Sequence, residues 1–224
     1  MQWVDLFHQH GIIHIHKCIA IRHALSAQRA GVDVLSIDGF ECAGHPGEDD
    51  IGNWVLLAKA AKALDACFIT SGGGADGKQL AAAIALGAAG VNMGTRFCVT
   101  QECNWPSAYK QKVLEADERA TTLILRPLKN STRVFKNKVS EAVNRIEFEK
   151  GSDFKIEDVM DLVAGTRGRA AEKEGDADGG IWTTGQVMGL IDDIPTCQEL
   201  VDTFMAEAKE VVSGMGAVLA KARL

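Results

Sequence analysis

The sequence lacks the features that would assign it to a membrane, to nucleic acid or to an oxidising compartment. Its longest apolar stretch, Ala81 to Val91, is far shorter than the about 20 residues a bilayer span needs. It carries no basic block and has a formal net charge of −6, so nucleic acid is not an expected partner. None of the six cysteines (Cys18, Cys42, Cys67, Cys98, Cys103, Cys197) forms a CxxC pair. Several sit in apolar segments and read as buried thiols in a reducing cytosol. The Cys98/Cys103 pair is too isolated for a zinc site, and no metal site is expected. The opening Met-Gln-Trp-Val-Asp-Leu-Phe-His has neither the basic region nor the cleavage motif of a signal peptide. There is no low-complexity tract and no repeat with a period of about 20–50 residues. A cytoplasmic globular protein without a membrane partner is the expectation.

What is present is a chain of 224 residues, 46% hydrophobic and 24% charged. That suffices for one large domain or two small ones with a packed core. The first hundred residues alternate between strand and helix patterns. Strand-like runs are Ile12 to Cys18, Val32 to Ile37, Cys67 to Thr70 and Val91 to Met93. Helical stretches lie between them, at Ile21 to Ala30, Trp54 to Leu64 and Lys78 to Leu86, two of them stopping at Gly31 and Gly87. This is the βαβαβαβ grammar of a parallel sheet covered by helices. From about Asn104 the pattern changes to helices, at Pro106 to Ala120, Asn137 to Phe148 and Glu157 to Ala164. Pro195 then opens a long helix whose apolar residues follow helical spacing.

Three strand ends feed turn-rich loops. The second strand runs into Asp38-Gly39-Phe40-Glu41-Cys42-Ala43-Gly44-His45-Pro46-Gly47. His45, held between glycines and a proline, suits a general base, or equally a structural loop histidine bonded to backbone. The third strand feeds Ser71-Gly72-Gly73-Gly74 and the fourth feeds Gly94-Thr95-Arg96. Bare N–H groups at such turns attract phosphate, although glycines also serve simply to make tight βα turns. Lys17 and Asp38 end the first two strands on the same rim. Each could act on a bound anion or be a solvated strand-end charge. His14 and His16 share one strand face, but no carboxylate partner is obvious. The charged segment Arg126 to Lys138 and the stretch Arg167-Gly168-Arg169 look like anion sites, but solvated helix faces and loops are the usual fate of charge runs and the preferred reading. Gly179-Gly180-Ile181-Trp182-Thr183-Thr184-Gly185-Gln186 puts a large aromatic and two hydroxyls in a glycine-flanked turn before a helix, which suits a lid over a site or an anchor between the helical region and the barrel.

These residues resemble a known family. Ser36 to Asp50 is similar to the signature of the nitronate monooxygenase (2-nitropropane dioxygenase) family. Ser71-Gly72-Gly73 with Ala75-Asp76-Gly77, Asn92 to Phe97, His16-Lys17-Cys18 and Gly180-Ile181-Trp182 match in the same order. The resemblance covers essentially the whole chain. It implies an FMN-dependent enzyme with a TIM-like barrel and an inserted helical domain. It implies His45 as catalytic base, and Gly73, Gly94 and Thr95 as the phosphate cradle with Gly72 and Met93 beside them. It implies Lys17, Asp38, Ala43 and Gly44 as further flavin contacts. Thr183 stands where a serine facing the flavin is expected, which keeps the hydroxyl and adds a methyl.

The expected architecture is therefore α/β: about four parallel βα units from the C-terminal part of a (β/α)8 barrel, with an α-helical subdomain. The expected division is 1–102 as partial barrel with the flavin-site loops, 103–194 as helical subdomain and 195–224 as a C-terminal helix packing back on the barrel. An eight-stranded barrel takes about 250 residues, so the chain reads as the C-terminal two-thirds of a family member. The leading expected activity is oxidation of alkyl nitronates by O2 to carbonyl compounds and nitrite. The alternatives are an NAD(P)H:quinone or enoyl-thioester reductase of the related barrels, and a truncated silent module. A small-molecule substrate is the expected partner, with self-association through open sheet edges.

Overall fold

The computed structural model describes residues 3–221. Met1, Gln2 and the last three residues of the C-terminal segment therefore lie outside the described residues. A short helix, α1 (Val4–Gln9), precedes four βα units: β1 (Ile15–Cys18), α2 (Ile21–Arg29), β2 (Val34–Asp38), α3 (Asn53–Ala63), β3 (Cys67–Ser71), α4 (Gly77–Ala85), β4 (Val91–Asn92) and the one-turn α5 (Thr95–Cys98). The sheet order is β1-β2-β3-β4 and all pairings are parallel. The sequence grammar and the observed topology agree here.

Alternation along the strands gives the sheet two unlike faces. Cys18, Leu35, Ile37 and Phe68 point outward and pack with Ala24, Ala27, Leu56, Leu57 and Ala60 of the covering helices. Leu35 and Ile37 are fully buried, and each contributes about 1.5–3 kcal/mol by leaving water. Small alanines on α2 and α3 let those helices approach closely. The opposite face carries Lys17, Ser36, Asp38, Ser71 and Asn92, aligned by the register Lys17↔Ser36, Asp38↔Ser71 and Ser71↔Asn92. That face is polar toward the C-terminal ends of the strands.

The chain continues through α6 (Ser107–Leu114), β5 (Thr121–Ile124), β6 (Thr132–Phe135), α7 (Lys138–Lys150), α8 (Met160–Val163), α9 (Gly165–Glu174) and α10 (Cys197–Lys221). One sequence expectation is corrected. The stretch after Asn104 is not purely helical, because β5 and β6 pair antiparallel from Thr121↔Phe135 to Ile124↔Thr132. The connecting turn contains no Asn-Gly or Gly-Gly pair. It is built on left-handed Leu125 and Lys129 around a short 3-10 turn, and so carries no ordinary hairpin signal. Arg167-Gly168-Arg169 lies on the exposed face of α9, where Gly168 lets the chain pass close to the Ile181 carbonyl.

A capped helix, α4, and the long α10 packed on it fix the geometry near the sheet. Asp76 accepts from the N–H groups of Lys78 and Gln79 at the start of α4, and Gln79 accepts back from Asp76 and Ala75, a reciprocal capping box. Gln79 also donates to the Gly73 carbonyl, tying the glycine loop to its helix. α10 packs on α4 through Leu80, Phe204 and Ala208. Gly77 is required there, since a Cβ would lie 2.3 Å from the Phe204 carbonyl oxygen.

Candidate active site

The C-terminal ends of the four strands open into a cleft of about 230 Å³. Lys17, Asp38, Ala43, Gly72, Gly73, Met93, Gly94 and Thr95 all line it. Eight of the sequence-selected residues are thus brought to one place. Gly44 follows Ala43 with φ +72. His45 comes next and is exposed on the loop beside the cleft rather than in its lining. Thr183 is exposed and also lies outside the lining, whereas its neighbour Thr184 is buried.

One wall is an ion pair. Asp38 is only 4% exposed, a cost that a carboxylate bears only when paired. Its Oδ2 lies 2.9 Å from Lys17 Nζ, and the lysine itself is half exposed toward the cleft. The opposite wall is backbone. Gly72 and Gly73 both have positive φ, at +81° and +79°, which strains any other residue. A Cβ on Gly94 would meet nothing within 4 Å, so that loop faces open space. The N–H groups of Gly73, Gly94 and Thr95 find no backbone acceptor among the described residues. Thr95 Oγ1 accepts from Gly185 N–H at 3.0 Å, which leaves its own proton to donate elsewhere.

Cys42, Ser71, Gly74, Asn92, Gly185 and Val187 also line the cleft. Gly74 and Gly185 lie in the loop and the lid segment that the sequence singled out, and Ser71 and Asn92 share the strand face of Lys17 and Asp38. Val187 carried no sequence signal, because it arrives from far along the chain. The approach of Gly185 and Val187 is set by Trp182, which stacks on Phe135 at 4.3 Å and donates from Nε1 to the Ala177 carbonyl. The Trp182 segment therefore anchors the later region while its continuation closes one side of the cleft. Gln186 N–H donates to the Glu41 carbonyl at 3.1 Å.

Cys42 lies in the cleft wall, and burial pushes its thiol up to about 11, with Asp38 adding to the rise. It stays a protonated thiol at neutral pH and is not a nucleophile. No group of three or more His, Cys, Asp or Glu side chains suited to a metal occurs among the described residues. No helix there is long and apolar enough to cross a membrane.

A profile of the nitronate monooxygenase family matches residues 1–207. The chain is 31% identical to the octahydro-1H-indene-4-carboxyl-CoA dehydrogenase of Rhodococcus jostii, over 94% of this chain and 68% of that protein. It is 31% identical to a probable nitronate monooxygenase of Bacillus subtilis over 61% of this chain and 39% of that protein. Among solved structures it is similar to FabK from Thermotoga maritima, with a TM-score of 0.89 and 30% identity over 97% of this chain and 67% of that one. It is also similar to nitroalkane oxidase from Streptomyces ansochromogenes, with a TM-score of 0.74 and 28% identity over 94% and 62%. The chain spans about two thirds of the length of these full-coverage relatives. With a four-strand parallel sheet whose glycine loops gather at one rim, and a family match over nearly its whole length, the chain belongs to the nitronate monooxygenase family.

Proposed function

We propose that this chain carries the flavin half of an FMN-dependent nitronate monooxygenase, in which alkyl nitronates and O2 give carbonyl compounds and nitrite. The observation that carries the reading is the backbone wall of the cleft. Gly73, Gly94 and Thr95 present N–H groups without backbone acceptors and a free hydroxyl proton, a donor set suited to a phosphate monoester. Positive φ at Gly72 and Gly73 keeps that wall free of side chains. The residues therefore fit a flavin mononucleotide, which when bound supplies the electron-accepting chemistry.

The chain's own groups divide the remaining work. Lys17, held by Asp38, puts a cation at the rim to balance negative charge that develops during turnover. Gly72, Met93, Ala43 and Gly44 shape the walls. His45, exposed beside the cleft, takes the α-proton of a nitroalkane or orients a nitronate. Thr183 offers a hydroxyl from the later region.

A second reading, reduction or oxidation of a thioester-linked substrate, is favoured by the Rhodococcus jostii relative, whose name specifies a carboxyl-CoA substrate. Two assays on the purified protein separate the readings. Flavin absorbance near one FMN per chain, with nitrite released from a nitronate, supports the first. Anaerobic bleaching of the flavin by NADH with no nitrite formation supports the reductase. We also propose a cytoplasmic protein that associates through its open sheet edges, β1 and β4, since unpaired edges template association. A monodisperse monomer on gel filtration contradicts that last point.

A further inference from the structure

We infer that Arg133, on the β5–β6 hairpin, is the positioning residue for His45. This rests on the reading of His45 as the proton-transferring group.

Arg133 is only 3% exposed, in a segment whose charges suggested a solvated surface. Its Nε and Nη2 both donate to the Phe40 carbonyl, at 3.2 and 2.9 Å. Its Nη1 donates to Thr121 Oγ1 at 3.0 Å. The guanidinium lies 4.5 Å from the centroid of the Phe40 ring, a cation–π contact. None of these partners is a carboxylate. The two acidic side chains near enough to act on it are committed elsewhere. Glu41 accepts from Asn53 N–H, and Asp50 pairs with Arg126 at 2.8 Å.

A buried cation without a carboxylate is costly, and an apolar residue of similar volume is commonly no worse for stability. The two residues that follow it in the strand, Val134 and Phe135, are apolar and buried. What the arginine provides is a hold on the loop. Its backbone forms an isolated antiparallel bridge with Gly44, with Gly44 N–H donating to Arg133 O at 3.1 Å and Arg133 N–H donating back at 2.5 Å. Its side chain pins Phe40 four residues earlier. On the far side of His45, Glu48 accepts from Ser131 N–H at 2.9 Å and from Ser131 Oγ at 2.6 Å. His45 thus hangs between two anchors, Gly44 and Glu48, both fastened to one hairpin. The flanking Gly44 and Gly47, each with positive φ, would otherwise leave the histidine poorly oriented, and proton transfer needs the donor and acceptor within hydrogen-bond reach.

The test is a double-mutant cycle of Arg133→Lys and His45→Ala, with amide hydrogen exchange on the same proteins. Lysine keeps the charge but cannot make the forked contact to Phe40 and Thr121. The expected result is that Arg133→Lys retains its FMN, lowers kcat for a nitroalkane at least tenfold with little change in KM, and causes no further loss in the His45→Ala background. Exchange should rise in residues 40–45 and stay unchanged in β2 and β3. Equal losses in both backgrounds would show that Arg133 does not act through His45. Unchanged kcat and unchanged exchange would overturn the inference outright. If Arg133→Lys does not fold, Thr121→Val removes one acceptor of the guanidinium, and unaltered exchange at 40–45 in that variant overturns the inference too. Absence of nitroalkane turnover in the unmutated protein would defeat the proposed function. The exchange measurement would still decide whether Arg133 holds the loop.

Discussion

Gly72 lies so close to Cys42 that a Cβ on the glycine would sit 2.7 Å from both the amide nitrogen and the Cα of the cysteine. Two of the loops that shape the cleft are thus in backbone contact, with Gly72 at a φ of +81°. Gly72→Ala combines a disfavoured backbone conformation with a clash against main chain. The expected loss of stability is about 2–4 kcal/mol, read as a lower midpoint in urea. Wild-type stability in that variant would mean the two loops can separate at little cost.

Gly73 differs from its neighbour. A Cβ there meets only Glu41 and Asn53 side-chain atoms at ordinary distance, 3.6 Å or more, so a side chain clashes with nothing, and its cost to the fold is the strain of a φ of +79°. A bulky side chain would instead enter the space next to the free N–H groups. Gly73→Leu is expected to keep its secondary structure and lose FMN affinity at least tenfold, measured by flavin fluorescence. Retention of wild-type affinity would remove the phosphate from this loop.

His45→Ala should leave FMN bound, because the groups assigned to the phosphate lie on other loops. Turnover of a nitroalkane should fall by roughly 10²–10⁴ if the imidazole moves a proton. A preformed nitronate, which needs no deprotonation, should lose less. Full turnover with both substrates would make His45 a structural residue.

The cysteines should label in a defined order. Cys67 is exposed at the start of β3. Cys18 and Cys42 are buried, and burial pushes both thiols up to about 11. At pH 8 iodoacetamide should modify Cys67 first and leave Cys18 and Cys42 intact until the protein is unfolded. Protection of the latter two should fade as pH rises toward 11, where the reactive thiolate forms. Early loss of Cys42, seen by peptide mass spectrometry, would show that the cleft wall opens readily.

The barrel half of the molecule was legible because its signals are local. Strand runs such as Val34–Asp38 and helices such as Gly77–Ala85 carry their own patterns and end at glycines or caps. The cleft lining was legible to the same extent, since strand-end residues must face one rim. The hairpin was not legible. Thr121–Ile124 has the β-branched character of a strand, but the turn after it depends on left-handed Leu125 and Lys129 rather than on glycine. Arg133 defeated the reading of charge as surface because its partners, Phe40 and Thr121, come from elsewhere in the chain. Val187 was invisible for the same reason: the stacking of Trp182 on Phe135 and the bonds from Gly185 and Gln186 to Thr95 and Glu41 bring it to the cleft.

The bond from Gly185 N–H to Thr95 Oγ1 joins residues 90 positions apart, and it bears on how the protein is made. The first wall of the cleft is complete once the chain has passed Thr95, but its closing side waits for the chain to pass Val187. Contacts of such long sequence separation form late and slow folding. During translation, at about 5–20 residues per second, the glycine loops are therefore exposed for several seconds before the Trp182 segment arrives. On the proposed function, a flavin present in that interval would meet an open cradle, and supplying FMN during synthesis should give a higher fraction of loaded protein than adding it afterward.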